Sequence, residues 1–289
     1  MPRICLAILT SLAGLLQAQG PFGSRDARLI RDLKENGEVQ RRARSTVWFE
    51  AGALPESERK ELADLVESGL QHLEKFLGGP YRWQKWRRPN VEYFVSGRIG
   101  VSRMMADLGP VVLLSLARVK SKDAPYLHET VHVLTTPLVE PGSGGSDPMW
   151  REEGFASFVA DEVVTRSGGW RFAYMSHGGN VTVHRECAGL LADGQTSAVD
   201  EYIGNGGQPR GRDLWARGAP GGVAPARRTM YVCGQSYVKF LVDRYGLKSV
   251  LRLFAEPDAV QGQRRAFGKP VHQLRQEWHA VLTKAQKES

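Results

Sequence analysis

The segment from Asp123 to Pro137, DAPYLHETVHVLTTP, constrains this chain more than any other. Leu127, Val131 and Leu134 recur at three- and four-residue spacing, Asp123 is a good helix N-cap, and Pro137 ends a helix. One helix is therefore expected from Asp123 to about Thr136. On it His128 and His132 stand four residues apart and project from one face, one turn above the other, so two imidazole nitrogens can converge on a single metal ion. Glu129 lies roughly a hundred degrees round from His128. It is beside the metal without being forced to ligate it, and there it can accept a proton from water. Zinc suits the set, because it accepts imidazole and carboxylate ligands and keeps one position open at catalytic sites. The plain alternative is a pair of solvent-facing or hydrogen-bonded histidines.

The next helix weighs against that alternative. After a loop rich in Gly, Ser and Pro over residues 139–148, the stretch from Met149 to Ser167 reads as a helix with Phe155, Phe158, Val159 and Val163 on its apolar side. It opens Met149-Trp150-Arg151-Glu152-Glu153-Gly154-Phe155-Ala156. Together with His128-Glu129-Thr130-Val131-His132, this resembles the gluzincin metallopeptidases, the clan of thermolysin and aminopeptidase N. The second motif is most like the aminopeptidase N form, W-x-x-E-G-F-A. The resemblance implies that Glu153 is the third zinc ligand and Glu129 the catalytic base. Glu152 competes for the ligand role, but it stands where the resembling motif usually has Asn, and it otherwise reads as a first-turn helix carboxylate or a substrate-facing charge. Twenty residues separate His132 from Glu153, more than the resembling pattern has, and the loop over 140–147 can absorb the surplus.

Further along, Tyr231-Val232-Cys233-Gly234 resembles the Y-x-x-G segment of aminopeptidase N-type enzymes, which implies that the Tyr231 hydroxyl stabilises the oxyanion of a tetrahedral intermediate. The other reading of Tyr231 and Tyr237 is as core aromatics. His177 and His184 match no motif for an oxyanion-stabilising histidine, and with His72, His272 and His279 they read as surface or capping residues. The resemblance covers roughly Pro110 to Leu282, with sharp motifs only at His128 to His132 and Trp150 to Ala156.

The surrounding pattern is mixed. Thr46 to Phe49 reads as a strand, and Glu56 to Leu77 as a helix that follows Pro55 and stops at Gly78-Gly79-Pro80. Val91 to Val95 and Pro110 to Val119 read as strands, the second a candidate edge for pairing with extended peptide. Helices are expected at Asn180 to Ala192, Thr229 to Tyr245, Leu247 to Phe254 and Val271 to Leu282. The expected fold is α+β and zincin-like: a small mixed β-sheet lobe followed by a mostly helical lobe, with the active cleft between them. By the resemblance, residues 45–289 form one peptidase MA-like catalytic domain, preceded by a charged segment over 21–44.

Met1-Pro2-Arg3, the apolar run Ile4 to Leu16 and the small residues near Gly20 read as a secretory signal peptide over residues 1–20, too short to span a bilayer comfortably. A secreted or periplasmic protein without stable membrane insertion is expected. In an oxidising compartment Cys187 and Cys233 can form one disulfide, or remain two buried thiols. The net charge of +8 favours acidic surfaces, yet Arg and Lys interleave with Asp and Glu from Arg25 to Arg44, so no nucleic-acid partner is expected. Asn180-Val181-Thr182 is a glycosylation sequon. The composite expectation is a secreted metallopeptidase with one Zn2+ per chain and a peptide or protein substrate. Endopeptidase action is favoured because no G-x-M-E-N segment precedes His128. The rivals are a non-catalytic zincin-fold binding or scaffold protein, and a zinc hydrolase of non-peptide amides or esters.

Overall fold

The computed structural model describes residues 21–78, 90–105, 108–135, 149–167, 179–192, 199–200, 203, 224–254, 256 and 258–288. Five strands form one sheet, β1 (Glu38–Arg41), β2 (Ser45–Phe49), β3 (Val91–Ser96), β4 (Arg103–Met104) and β5 (Val111–Ser115), with β2, β3 and β5 rich in branched and aromatic residues. Its order is β1-β2-β3-β5-β4, with β2, β3 and β5 parallel and the two outer strands antiparallel to their neighbours. The parallel strands are buried on both faces, which explains why β5 is a continuous apolar run. Alternation along the strands sends Phe94, Val111 and Leu113 to one face, where they pack with Leu29 and Leu33 of α1 (Pro21–Asn36). Val47, Phe49, Tyr93, Val95, Val112 and Leu114 go to the other face, against α2 (Glu56–Leu77) and the helices beyond it.

Helix α2 has the bounds its pattern predicts, and its last turn closes on Gly78 in the left-handed region at φ 80°. Several stretches depart from expectation. The strand expected to run to Val119 stops at Ser115 and continues as α3 (Leu116–Lys120). Helix α4 (Tyr126–Thr135) starts later than predicted, because Asp123 does not cap it: its carboxylate and carbonyl oxygens accept from the Arg118 guanidinium instead. The charged segment over 21–44 contributes α1 and β1 to the sheet half.

The second half is helical. Its elements are α5 (Met149–Ser167), a 3-10 turn (Gly179–Val181), α6 (Val183–Leu190), α7 (Ala224–Tyr245), α8 (Leu247–Leu253), α9 (Ala259–Phe267) and α10 (Val271–Lys287). Helix α9 was not anticipated: its apolar stripe is short, and it opens on the Asp258 cap, whose carboxylate accepts from the backbone N–H groups of Val260 and Gln261. Helices α5 and α7 cross at Gly154 and Gly234, where a Cβ on Gly154 would lie 2.5 Å from the Gly234 carbonyl carbon. Cys187 on α6 and Cys233 on α7 are joined as a disulfide. The mixed-sheet half and helical half are thus the two parts expected. The predicted signal peptide, the loop over 139–148, the Gly-rich stretch over 204–223 and His177 lie outside the described residues.

Candidate functional site

The two motif helices meet at one point. Helix α4 packs on β5, β4 and α2, and α5 packs on both α4 and α2, so the His128-to-His132 face of α4 is turned toward the first turns of α5. There His128 Nε2 lies 3.0 Å from Glu153 Oε2 and 3.1 Å from His132 Nε2, while His132 Nε2 is 3.5 Å from the same carboxylate oxygen. The three side chains converge with one ligand atom each, all within 4.8 Å of one another. Bonds of about 2.0–2.1 Å in a tetrahedral site place donor atoms roughly 3.3 Å apart. The observed separations match that spacing, so the set fits a metal ion. Glu153, rather than Glu152, belongs to the cluster.

The electrostatics point the same way. Burial pushes His128 down toward its neutral form, the form that ligates, although the Glu153 carboxylate opposes this. Burial also disfavours a charged His132, but the Glu153, Glu129 and Glu152 carboxylates outweigh it and raise the group to about 9. Burial works against an ionised Glu153, and the two histidines outweigh it, holding its carboxyl well below the usual range. The surrounding carboxylates therefore favour positive charge at His132, a balance that a metal cation would serve equally.

Glu129 is buried beside the cluster and is not a member of it. Burial raises its carboxyl to about 8, with His132 pulling the other way, and the backbone N–H of Met104 on β4 donates to it. Strand β4 is the sheet's outer strand on this side, so the expected edge strand β5 is instead covered by β4. Because Met105 N–H bonds inward to the Val111 carbonyl, the peptide groups of Met104 face the outer edge of the sheet, which no strand among the described residues pairs. The Glu129 carboxyl group thus lies buried beside that outer edge.

Tyr231 on α7 is half-buried, with its ring centroid 6.4 Å from that of His128. Tyr237 is a core aromatic whose hydroxyl donates to Gln263 Oε1 at 2.6 Å. Sequence reasoning missed Ser157, one turn beyond Glu153, whose Oγ lies 3.5 Å from His128 Nδ1, the nitrogen facing away from the cluster. It also missed Met104 and Arg103, because only strand register brings β4 to the site; the edge position of a two-residue strand leaves no periodic signal. His184 is half-buried and lines a cavity with Phe240, Asp243 and Val281, its Nδ1 2.9 Å from Ser236 Oγ. The Asn180 sequon is closed, since the Asn180 side chain is buried and its Nδ2 donates to the Phe158 carbonyl and to Glu162 Oε1. No family model matches the chain, and no curated protein is similar enough to count as a match.

Proposed function

We propose that this protein is a zinc-dependent metallopeptidase of gluzincin type, acting on extended peptide and favouring internal bonds, and that residues 1–20 direct it to secretion. The observation that carries the reading is the arrangement around α4: three converging donor atoms from His128, His132 and Glu153, with a buried carboxylate, Glu129, beside them but outside the set. A purely structural zinc site prefers four protein ligands and has no use for such a carboxylate. When bound, the metal supplies Lewis-acid polarisation of a carbonyl and acidification of water. Glu129 takes the proton from the attacking water and delivers it to the departing amide nitrogen. The Tyr231 hydroxyl donates to the oxygen on which negative charge develops. Strand β4 offers an edge that no strand among the described residues pairs, with the Met104 carbonyl turned outward, along which a peptide backbone can be held in line with Glu129. Met104 N–H keeps the Glu129 carboxylate on that line. Internal cleavage is favoured because no acidic recognition segment for a free amino terminus precedes α4. The Cys187–Cys233 disulfide supports an oxidising compartment.

The test is hydrolysis of an unfolded protein substrate by the zinc-loaded chain and by Glu129→Gln. The variant is expected to keep its metal and lose turnover by at least about a hundredfold. Undiminished turnover in Glu129→Gln refutes the assigned base. Hydrolysis of simple esters or non-peptide amides, with unfolded protein left intact, moves the reading to the rival hydrolase.

A further inference from the structure

Behind the edge strand lies a cavity of about 780 Å³ between α1, the turn after β3 and β4, lined by Arg25, Asp26, Arg98, Val101, Arg103 and Met105 among others. Three of these six side chains are guanidinium groups. Arg103 is anchored through Nη2 to Asp26 Oδ1 at 2.6 Å and through Nη1 to the Val101 carbonyl at 2.8 Å. Arg98 is held by Asp32 at 2.6 Å and Glu50 at 3.5 Å. Arg25 is exposed and has no hydrogen-bond or ion-pair partner among the described residues. Asp26 is buried at 5% exposure, and its second oxygen, Oδ2, has no hydrogen-bond partner. A buried carboxylate oxygen without a donor costs free energy that an incoming N–H group recovers. The cavity wall therefore combines an uncommitted guanidinium with an unmet acceptor.

Strand register ties this cavity to the candidate active site. Met104 pairs with Val112 and Arg103 with Leu113. Val112 belongs to the face packed on α2 and α4, and Leu113 to the face packed on α1. A peptide added along β4 alternates its side chains between the same two faces. One residue points toward α4 and Glu129, and its neighbour points toward Arg103, Arg25 and the cavity.

We propose that this cavity is a specificity subsite for an acidic side chain, so that the substrate is an extended peptide carrying Asp or Glu next to the residue held over Glu129. The proposal rests on the peptidase reading given above. The Arg25 and Arg103 guanidiniums receive the carboxylate, and a peptide N–H beside it satisfies Asp26 Oδ2. Arg98, already neutralised by two carboxylates, shapes the wall rather than binding.

The test uses the full chain and three sets of unstructured peptides that carry Glu, Gln or Lys at one fixed position in an otherwise randomised sequence. Binding is read by fluorescence anisotropy on Glu129→Gln protein, which holds peptide without consuming it, and cleavage is read by mass spectrometry on zinc-loaded wild type. The Glu set is expected to bind and to be cleaved roughly tenfold better than the Gln and Lys sets. Arg25→Gln is expected to bring the Glu set down to the level of the Gln set, whereas Arg252→Gln, an equal loss of charge on distant α8, leaves the preference in place. Equal binding of the three sets overturns the subsite, as does preference for Gln or Lys, or a Glu preference lost equally in Arg252→Gln. A Glu preference in binding that depends on Arg25, with no set cleaved by wild type, keeps the subsite and overturns the peptidase reading instead.

Discussion

Glu129 shares a helical turn with His128 and lies one turn before His132, yet it stays out of the ligand cluster because the helix turns it toward β4, where Met104 N–H receives it. That separation of roles divides the expected effects of mutation. Tyr231→Phe removes one hydroxyl and should lower kcat roughly a hundredfold or more with little change in KM, since the donor acts on charge that exists only in the transition state; an unchanged kcat would return Tyr231 to the ranks of core aromatics. Ser157→Ala should weaken zinc binding about tenfold in a competition titration with a chelator, because a group facing the outer nitrogen of a liganding histidine orients the ring. Zinc binding to the metal-free protein should also release protons at pH 7, since His132 is raised to about 9 and must lose its proton to ligate. Calorimetry in two buffers of different ionisation enthalpy reads this directly, and identical heats in both would contradict it. His128, His132 and Glu153 were legible in the sequence because the two histidines sit in one short motif on α4 and the glutamate in another at the start of α5. Met104, Arg103 and Ser157 were not legible, because the contacts that matter for them come from strand register and helix crossing.

Helices α5 and α7 set the distance between Glu153 and Tyr231, and they do so through two glycines. Gly154 leaves no room for a methyl group: its Cβ would sit 2.5 Å from the Gly234 carbonyl carbon and 2.6 Å from its oxygen, both rigid backbone. A Cβ at Gly234 would instead meet Trp150 and Gly154 at 3.4 to 3.6 Å, ordinary contact distances. Gly154→Ala should therefore destabilise by about 1–3 kcal/mol and depress activity by moving Glu153, whereas Gly234→Ala should be nearly neutral. Urea unfolding of the two variants checks the asymmetry, and equal losses would contradict it. The Cys187–Cys233 bridge closes a span of 46 residues between α6 and α7. Its removal as Cys187→Ala/Cys233→Ala should cost about 2–4 kcal/mol in the same assay, most of it through the unfolded chain. Long elements with clear periodicity, α2, α5 and α10, were readable from spacing alone. The early end of β5 and the late start of α4 were not, because Arg118 takes Asp123 away from the cap position across a turn that local pattern does not encode.

At the scale of the molecule, the mixed sheet and the helical half are joined through the two motif helices, so the site and the junction coincide. A sheet half followed by a helical half was visible in the order of patterns along the chain. The part played by α1, which covers the second face of the sheet and shapes the arginine-lined cavity, was hidden behind its dense charge: among its described apolar side chains, Leu29 and Leu33 are the buried ones at its contact with the sheet. The helical half carries its own pH response. Burial, with help from Lys239, lowers His184 from its ordinary 6.5 to about 4. Above pH 6.5 both folded and unfolded chains leave it neutral; below that the unfolded chain binds a proton that the folded chain does not, so stability from this group is lost as pH falls toward 4. His184→Gln should accordingly lose less melting temperature than wild type between pH 7 and pH 4, and parallel profiles would contradict the assignment.

A three-ligand metal centre with a separate base makes a definite demand on metal content. Elemental analysis after zinc equilibration and exhaustive dialysis should give one zinc per chain in wild type and in Glu129→Gln, and little or none in His132→Ala and Glu153→Ala. Absent zinc in wild type, or undiminished zinc in Glu153→Ala, would contradict the assignment of the site.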